Sequence, residues 1–127
     1  MANTETTINA VIHPQLNETL IDIEKTIKAL ERNKFVVHYF ETGTEAVAYL
    51  KNRIQNKCVA IGDSRTLLEI GIHDTLSEVN EDITDIQRPL PGESFRDTAL
   101  RTMGRDVFLT SVNALSQTGE MVNIDGT

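Results

Sequence analysis

The sequence predicts an α/β fold: an open, mostly parallel sheet with helices on both faces. Two observations carry the prediction. Between residues 16 and 79, stretches with helical spacing of apolar residues alternate with short β-branched runs, in the order helix, strand, helix, strand, helix. Strands joined through helices make right-handed crossovers and a parallel sheet covered on both faces. The second is the run at 59–72, Val-Ala-Ile-Gly-Asp-Ser-Arg-Thr-Leu-Leu-Glu-Ile-Gly-Ile. It reads as a short buried strand that breaks at Gly62 and reopens as a helix near Thr66. Such sheets bind ligands beyond the carboxyl ends of their strands, and residues 62–66 stand at one.

Residues 1–13 read as a mobile polar lead, and residues 14–127 as one α/β unit. Leu20, Ile23, Ile27 and Leu30 recur at helical spacing, with Leu16 one turn earlier. Asn17 is placed to cap that helix and Asn33 to leave it in a left-handed conformation. Residues 35–40, Phe-Val-Val-His-Tyr-Phe, are nearly all β-branched or aromatic and predict a strand. Residues 41–44 break it, and Thr44 suits the cap of a helix with Ala46, Val47, Leu50 and Ile54 on one face. The apolar run from Cys58 to Ile61 follows, and then a short helix over 72–79 with Leu76 and Val79. Residues 81–92 are polar and hold Pro89 and Pro91, so they predict an exposed connection of the length common in lids and binding loops. Ser94 caps a helix running to Met103, which Gly104 ends. A strand over 106–110, a turn at 116–119 and a strand over 120–124 complete the chain. About four strands are written, and the last residues enter a glycine turn, so the sequence reads as the first part of a longer domain.

With 127 residues, 39% hydrophobic and 24% charged, the chain suits one soluble globular domain. The net charge of −7, without any Lys/Arg run, argues against nucleic acid and anionic membrane as partners. The N-terminus lacks the basic start and apolar core of a signal peptide, and no apolar run approaches the roughly 20 residues of a spanning helix. Cys58 is the single cysteine, which excludes an internal disulfide or a cysteine-held cluster within one chain. The expected setting is a reducing cytoplasm, with no cofactor held by the chain itself.

Residues 62–66, Gly-Asp-Ser-Arg-Thr, match neither the phosphate loop with its Gly-Lys pair nor the dinucleotide Gly-x-Gly-x-x-Gly. What they offer is a generic anion cradle for a carboxylate or phosphate. Ser64 and Thr66 bring hydroxyls, Arg65 a guanidinium, and Gly62 close backbone approach. The alternative is an ordinary strand-to-helix turn capped by Thr66, and Asp63 weighs against a tightly held anion. Asn113 and Asp125 suit a ligand held by that loop; equally, Asx side chains cap turns by bonding their own backbone. His13, His38 and His73 lack metal-ligand spacing; His38 suits a strand surface and His73 a helix end. Cys58 suits packing as a small hydrophobe. No nucleophile–base order and no carboxylate pair stands out.

The run at 59–72 resembles the Gly-Gly-Ser-x-Thr-Leu-x-Glu-Ile-Gly motif of the lactate-utilisation (LUD) domain family. Residues 107–127, Val-Phe-Leu-Thr-Ser-Val-Asn-Ala-Leu-Ser-Gln-Thr-Gly-Glu-Met-Val-Asn-Ile-Asp-Gly-Thr, are similar to its second signature, and residues 29–50 fit its Leu-x-x-Asn-x-Phe segment and the helix after it. Gly62, Ser64, Thr66 and Glu69 match the first motif; Asn113, Asp125, Gly126 and Thr127 match the second. Asp63 stands where the family has a second glycine. In the family the second motif continues into further sheet and helix. With Asp63 and Arg65 these residues make the candidate ligand-binding set; the resemblance supplies no catalytic residue. It implies the fold group of ribose-phosphate isomerase, glucosamine-phosphate deaminase and CoA-transferase, whose first glycine loop holds a phosphate or CoA-like anion. It also implies a component of a cytoplasmic system oxidising L-lactate to pyruvate, with iron–sulfur or oxidoreductase partner subunits and a homodimer among the expected assemblies. The alternatives are a stand-alone enzyme on a sugar phosphate or CoA thioester, and a non-catalytic scaffold subunit.

Overall fold

The computed structural model describes residues 7–11 and 22–124. They belong to two compact units, one drawn from residues up to Ala46 and from Val112 onward, the other being Val47–Ser111.

In the first unit, β1 (Thr7–Val11) pairs in parallel with β2 (Val36–Phe40), from Thr7 opposite Val36 to Val11 opposite Phe40. Thr7–Val11 is thus a strand where the sequence suggests a mobile lead. The crossover between them contains α1 (Ile23–Arg32), which buries Thr26, Ala29 and Leu30. Its cap is Asp22, whose carboxylate accepts from the Lys25 amide at 2.9 Å; Asn17, the expected cap, lies outside the described residues. The left-handed residue after the helix is Lys34, at φ 71°, and not Asn33. The amides of Lys34 and Phe35 close the helix on Glu31 and Leu30. Asn33 instead donates its side-chain amide to the Gly119 carbonyl. Gly119 turns the hairpin of β6 (Ala114–Leu115) and β7 (Met121–Val122), which pair antiparallel. At φ 88°, with Ala29 3.2 Å from where a Cβ would stand, only glycine fits there.

The chain leaves this unit within α2 (Gly43–Arg53). Thr42, not Thr44, starts that helix. Thr42 has a glutamate three residues on, so its hydroxyl accepts from the Glu45 amide while the Glu45 carboxylate accepts from the Thr42 amide.

The second unit is built on β3 (Cys58–Ile61), the central strand of a three-stranded sheet. β4 (Asp82–Asp85) and β5 (Val107–Leu109) flank it, both parallel to it. β4 corrects the sequence expectation of an exposed connection over 81–92. Its polar string Asp-Ile-Thr-Asp hides a strand because Ile83 meets the core and Thr84 is buried on the opposite face. The helix expected near Thr66 and the short helix expected over 72–79 are α3 (Arg65–Glu69) and α4 (Ile72–Ser77), separated by Gly71 at φ 67°. α5 (Phe95–Arg101) starts at Ser94 in a reciprocal cap with Asp97, ending two residues short of Met103.

Strand alternation divides the packing. Val59 and Ile61 pack with Leu50 and Ile54 of α2, Leu67 of α3, and Ile72 and Leu76 of α4. Ala60 and Thr84 turn to the other face, where Arg101 of α5 donates to the Thr84 hydroxyl at 3.2 Å. Helices therefore cover both faces of this sheet, as the sequence predicts. Two polar groups tie its edges. Buried Asn80 donates to the carbonyls of Ile54 and Leu76 at 2.9 and 3.0 Å and accepts from the Lys57 amide at 2.9 Å. It joins the ends of α2 and α4 to the start of β3. Glu93 accepts from Arg101, Thr98 and the Leu90 amide, closing the proline-containing segment onto α5.

Asn80→Ala leaves the Ile54 carbonyl and the Lys57 amide without that partner, while the Leu76 carbonyl keeps the Val79 amide, and should lower unfolding free energy by about 2 kcal/mol in urea melts. The Arg101 guanidinium, then the Leu90 amide and the Thr98 hydroxyl, hold the Glu93 carboxyl down from its ordinary 4.5 to about 2. Its folded-state value lies below the unfolded one, so its stabilisation is complete above about pH 4.5 and disappears as the pH falls towards 2. Thermal melts from pH 5 to 2 should therefore fall less steeply for Glu93→Gln than for the natural chain.

Candidate functional site

The carboxyl ends of β3 and β4 open beside α3 and α4. In a parallel sheet this is where backbone groups lose their strand partners and polar side chains can converge. Gly62, Ser64, Leu67, His73, Asp85 and Arg88 line a narrow cleft there, with Leu68, Ile72 and Gln87.

Gly62 is buried, and its amide donates to the Leu109 carbonyl at 2.9 Å. A Cβ on it would stand 3.2 Å from the Phe108 ring and 3.3 Å from the Leu109 carbonyl, so the missing side chain makes room for β5. Ser64, not Thr66, caps α3. Its extended backbone lets its hydroxyl accept from the Leu67 amide at 3.1 Å, and the same hydroxyl donates to Ser111 at 2.8 Å. Thr66 lies inside the first turn. Asp63 is exposed and accepts from the Gln87 side-chain amide at 2.8 Å. Arg65, with 89% of its side chain exposed, pairs with Glu69 at 2.7 Å one turn along the helix. These residues form a capped turn whose hydroxyls and charges are largely partnered within the chain.

Asn113 belongs to the other unit. Its side chain accepts from the Ile124 amide at 2.8 Å and its own amide donates to Val122, the turn-capping use of an Asx residue. Asp125, Gly126 and Thr127 lie outside the described residues.

The pair that sequence reasoning missed is His73 with Asp85. Asp85, at the end of β4, has only 7% of its side chain exposed; its Oδ1 accepts from the Gln87 amide at 2.9 Å and its Oδ2 lies 2.8 Å from Nδ1 of His73. A carboxylate can only accept, so Nδ1 carries the hydrogen and Nε2 is the ring nitrogen that remains. Nε2 has no partner among the described residues. Arg88 gives Nη1 to Asp74 at 2.9 Å and keeps Nε 3.9 Å from Asp85, leaving Nη2 unpartnered among those residues. The Arg88 guanidinium beside it holds the Asp74 carboxyl below its ordinary value. The sequence signal was faint: His73 is one of three scattered histidines, and Asp85 lies in a stretch whose polarity suggested a loop.

Cys58 stands at the opposite end of β3. The Asp82 carboxylate beside it, followed by burial, pushes its thiol above the ordinary value, so it is a poor nucleophile. Among the described residues no cluster of histidine, cysteine and carboxylate groups could hold a metal ion.

The family model of the LUD domain matches residues 23–127. The chain belongs to the LUD-domain family, which is associated with lactate utilisation. No curated protein and no solved structure matches it significantly. The match begins at the first residue of α1 and takes in both motifs. No helix among the described residues of this LUD-domain protein is long and apolar enough to cross a membrane.

Replacing Ser64 by alanine removes the cap of α3 and the bond to Ser111, and should cost about 1 kcal/mol of stability in denaturant melts. Arg65→Ala removes only an exposed pair and should change stability by less than about 0.5 kcal/mol.

Proposed function

We infer that this LUD-domain protein binds a small carboxylate in the cleft beyond β3 and β4, as a component of a system that oxidises L-lactate to pyruvate. The observation that supports the reading is that Arg88 and His73, whose Nη2 and Nε2 have no partner among the described residues, line the same cleft. A guanidinium is suited to a planar carboxylate. Leu67, Leu68 and Ile72 supply an apolar wall for a short carbon chain. Gly62 and Ser64 of the candidate anion cradle line the same cleft, so a ligand there also lies near the backbone of the first motif. Oxidising a hydroxy acid removes two electrons. These 127 residues hold Cys58 as their single cysteine, too few for an iron–sulfur cluster, and in this reading the electrons leave through an oxidoreductase or iron–sulfur partner subunit.

A thermal-shift series tests this reading. L-Lactate or pyruvate at about ten times its dissociation constant should stabilise the protein by roughly 1.4 kcal/mol, a rise of a few degrees in Tm. Arg88→Gln should weaken that binding about tenfold or more. Stabilisation by sugar phosphates or CoA, with none by either acid, would overturn the reading in favour of a stand-alone enzyme of the other class.

A further inference from the structure

We propose that residues 87–92 form a strap closed across this cleft, latched by Gln87 on Asp63 and by Arg88 on Asp74, and that a ligand enters only when the strap lifts. The inference rests on the carboxylate-binding reading and names what controls entry to the same site.

The strap is fixed at its two ends and loose between them. At one end the Ile86 amide donates to the Ile61 carbonyl at 3.0 Å, continuing the pairing of β4 with β3. At the other, the Glu93 carboxylate, with 11% of its side chain exposed, is held by Arg101 and Thr98 of α5. Every residue from Gln87 to Gly92 is exposed. Pro89 and Pro91 have no amide to donate, and Leu90 stands outside the core cluster. Gly92 turns the chain at φ 78°, with nothing within 4 Å of where a Cβ would stand. A segment that buries so little between two anchored ends opens far more readily than the domain unfolds.

Two side chains draw this segment over the cleft. Gln87 donates its side-chain amide to Asp63, at the end of β3, at 2.8 Å. Arg88 donates Nη1 to Asp74, on α4, at 2.9 Å. The strap thus bonds to the two elements that wall the cleft opposite β4, and Gln87 and Arg88 themselves complete its lining. With both latches made, the cleft has a volume of about 10 Å³, room for about one water molecule. Pyruvate and lactate are several times larger, so this is the closed form of the site. Asp74 also presents to Arg88 the chemical group that the ligand would bring. It is an internal competitor: a ligand carboxylate takes its place on the guanidinium as the latch breaks. Both latches are exposed at each partner, so water takes over their hydrogen bonds on opening and the closed form is favoured only modestly.

Amide hydrogen exchange of the full chain, read by NMR, tests the strap without any ligand. Gln87→Ala and Asp74→Asn remove the latches singly and together; both positions are exposed, and the first substitution changes no charge. The double variant should exchange the Arg88 and Leu90 amides several-fold faster, while the Ile83 and Ile86 amides keep their rates. Titration with pyruvate then reads entry. Its Kd should fall about threefold or more in the double variant, because a larger share of the chain is open. Gln87→Ala alone should shift Kd in the same direction, which separates opening from the loss of a repelling charge. Unchanged exchange in the double variant overturns the strap, and so does faster exchange with an unchanged pyruvate Kd. If the double variant fails to fold, the natural chain in low and high salt decides. Screening of the Arg88–Asp74 pair should speed the same two amides, and rates indifferent to salt overturn the strap. Faster exchange with no binding of pyruvate or L-lactate by any variant overturns the carboxylate reading and leaves the strap as the cover of the cleft.

Discussion

β3 is paired on both edges and covered on both faces, and the rest of the second unit follows from that. Its backbone amides and carbonyls are committed to β4 and β5. Val59, Ala60 and Ile61 are each at most 3% exposed, so no polar side chain is tolerated between its ends. Polar groups gather where the pairing stops. At the amino end Asn80 satisfies the Lys57 amide and two helix-terminal carbonyls. At the carboxyl end Gly62 passes close to β5, Ser64 caps α3, and the chain opens into the cleft.

That cleft is defined by the shortness of what surrounds it. α3 is a five-residue helix, too short for a strong macrodipole, and its cap uses the Ser64 hydroxyl internally. The groups left available come from α4 and from the residues after β4: an imidazole nitrogen and one arm of a guanidinium. The unpartnered polar groups among the cleft's described residues therefore lie beside α4 and β4 rather than at the glycine turn. His73, Asp85 and Arg88 stand together because Gly71 turns the chain between α3 and α4 and because β4 pairs with β3 in register, bringing Asp85 opposite Ile61.

The sequence made some features legible and hid others for identifiable reasons. The buried run of β3, the amphipathic face of α2 and the Ser94 cap were readable, because apolar periodicity and capping chemistry are local. β4 was not. Asp82, Ile83, Thr84 and Asp85 alternate only weakly, and Thr84 is buried by a hydrogen bond from Arg101, seventeen residues away. Three cap positions shifted for the same kind of reason. Thr42 prevails over Thr44 through Glu45, Ser64 over Thr66 through Leu67, and Lys34 takes the left-handed turn because Asn33 is held by Gly119. Each choice lay between two chemically suitable residues, and the third partner decided it.

By itself the sequence determined the family, the parallel α/β class and the place where a ligand would be sought. These depend on motifs and periodicities written within a few turns of chain. Only the tertiary structure decided which groups at that place are available. Ser64, Arg65 and Asp63 look open to a ligand in the sequence and are engaged once folded. His73 and Asp85, twelve residues apart and unremarked by spacing, meet at 2.8 Å because parallel pairing carries one to the end of a strand beside the helix that holds the other. Hydrogen-bond partners are contacts across the fold, and no local pattern encodes them.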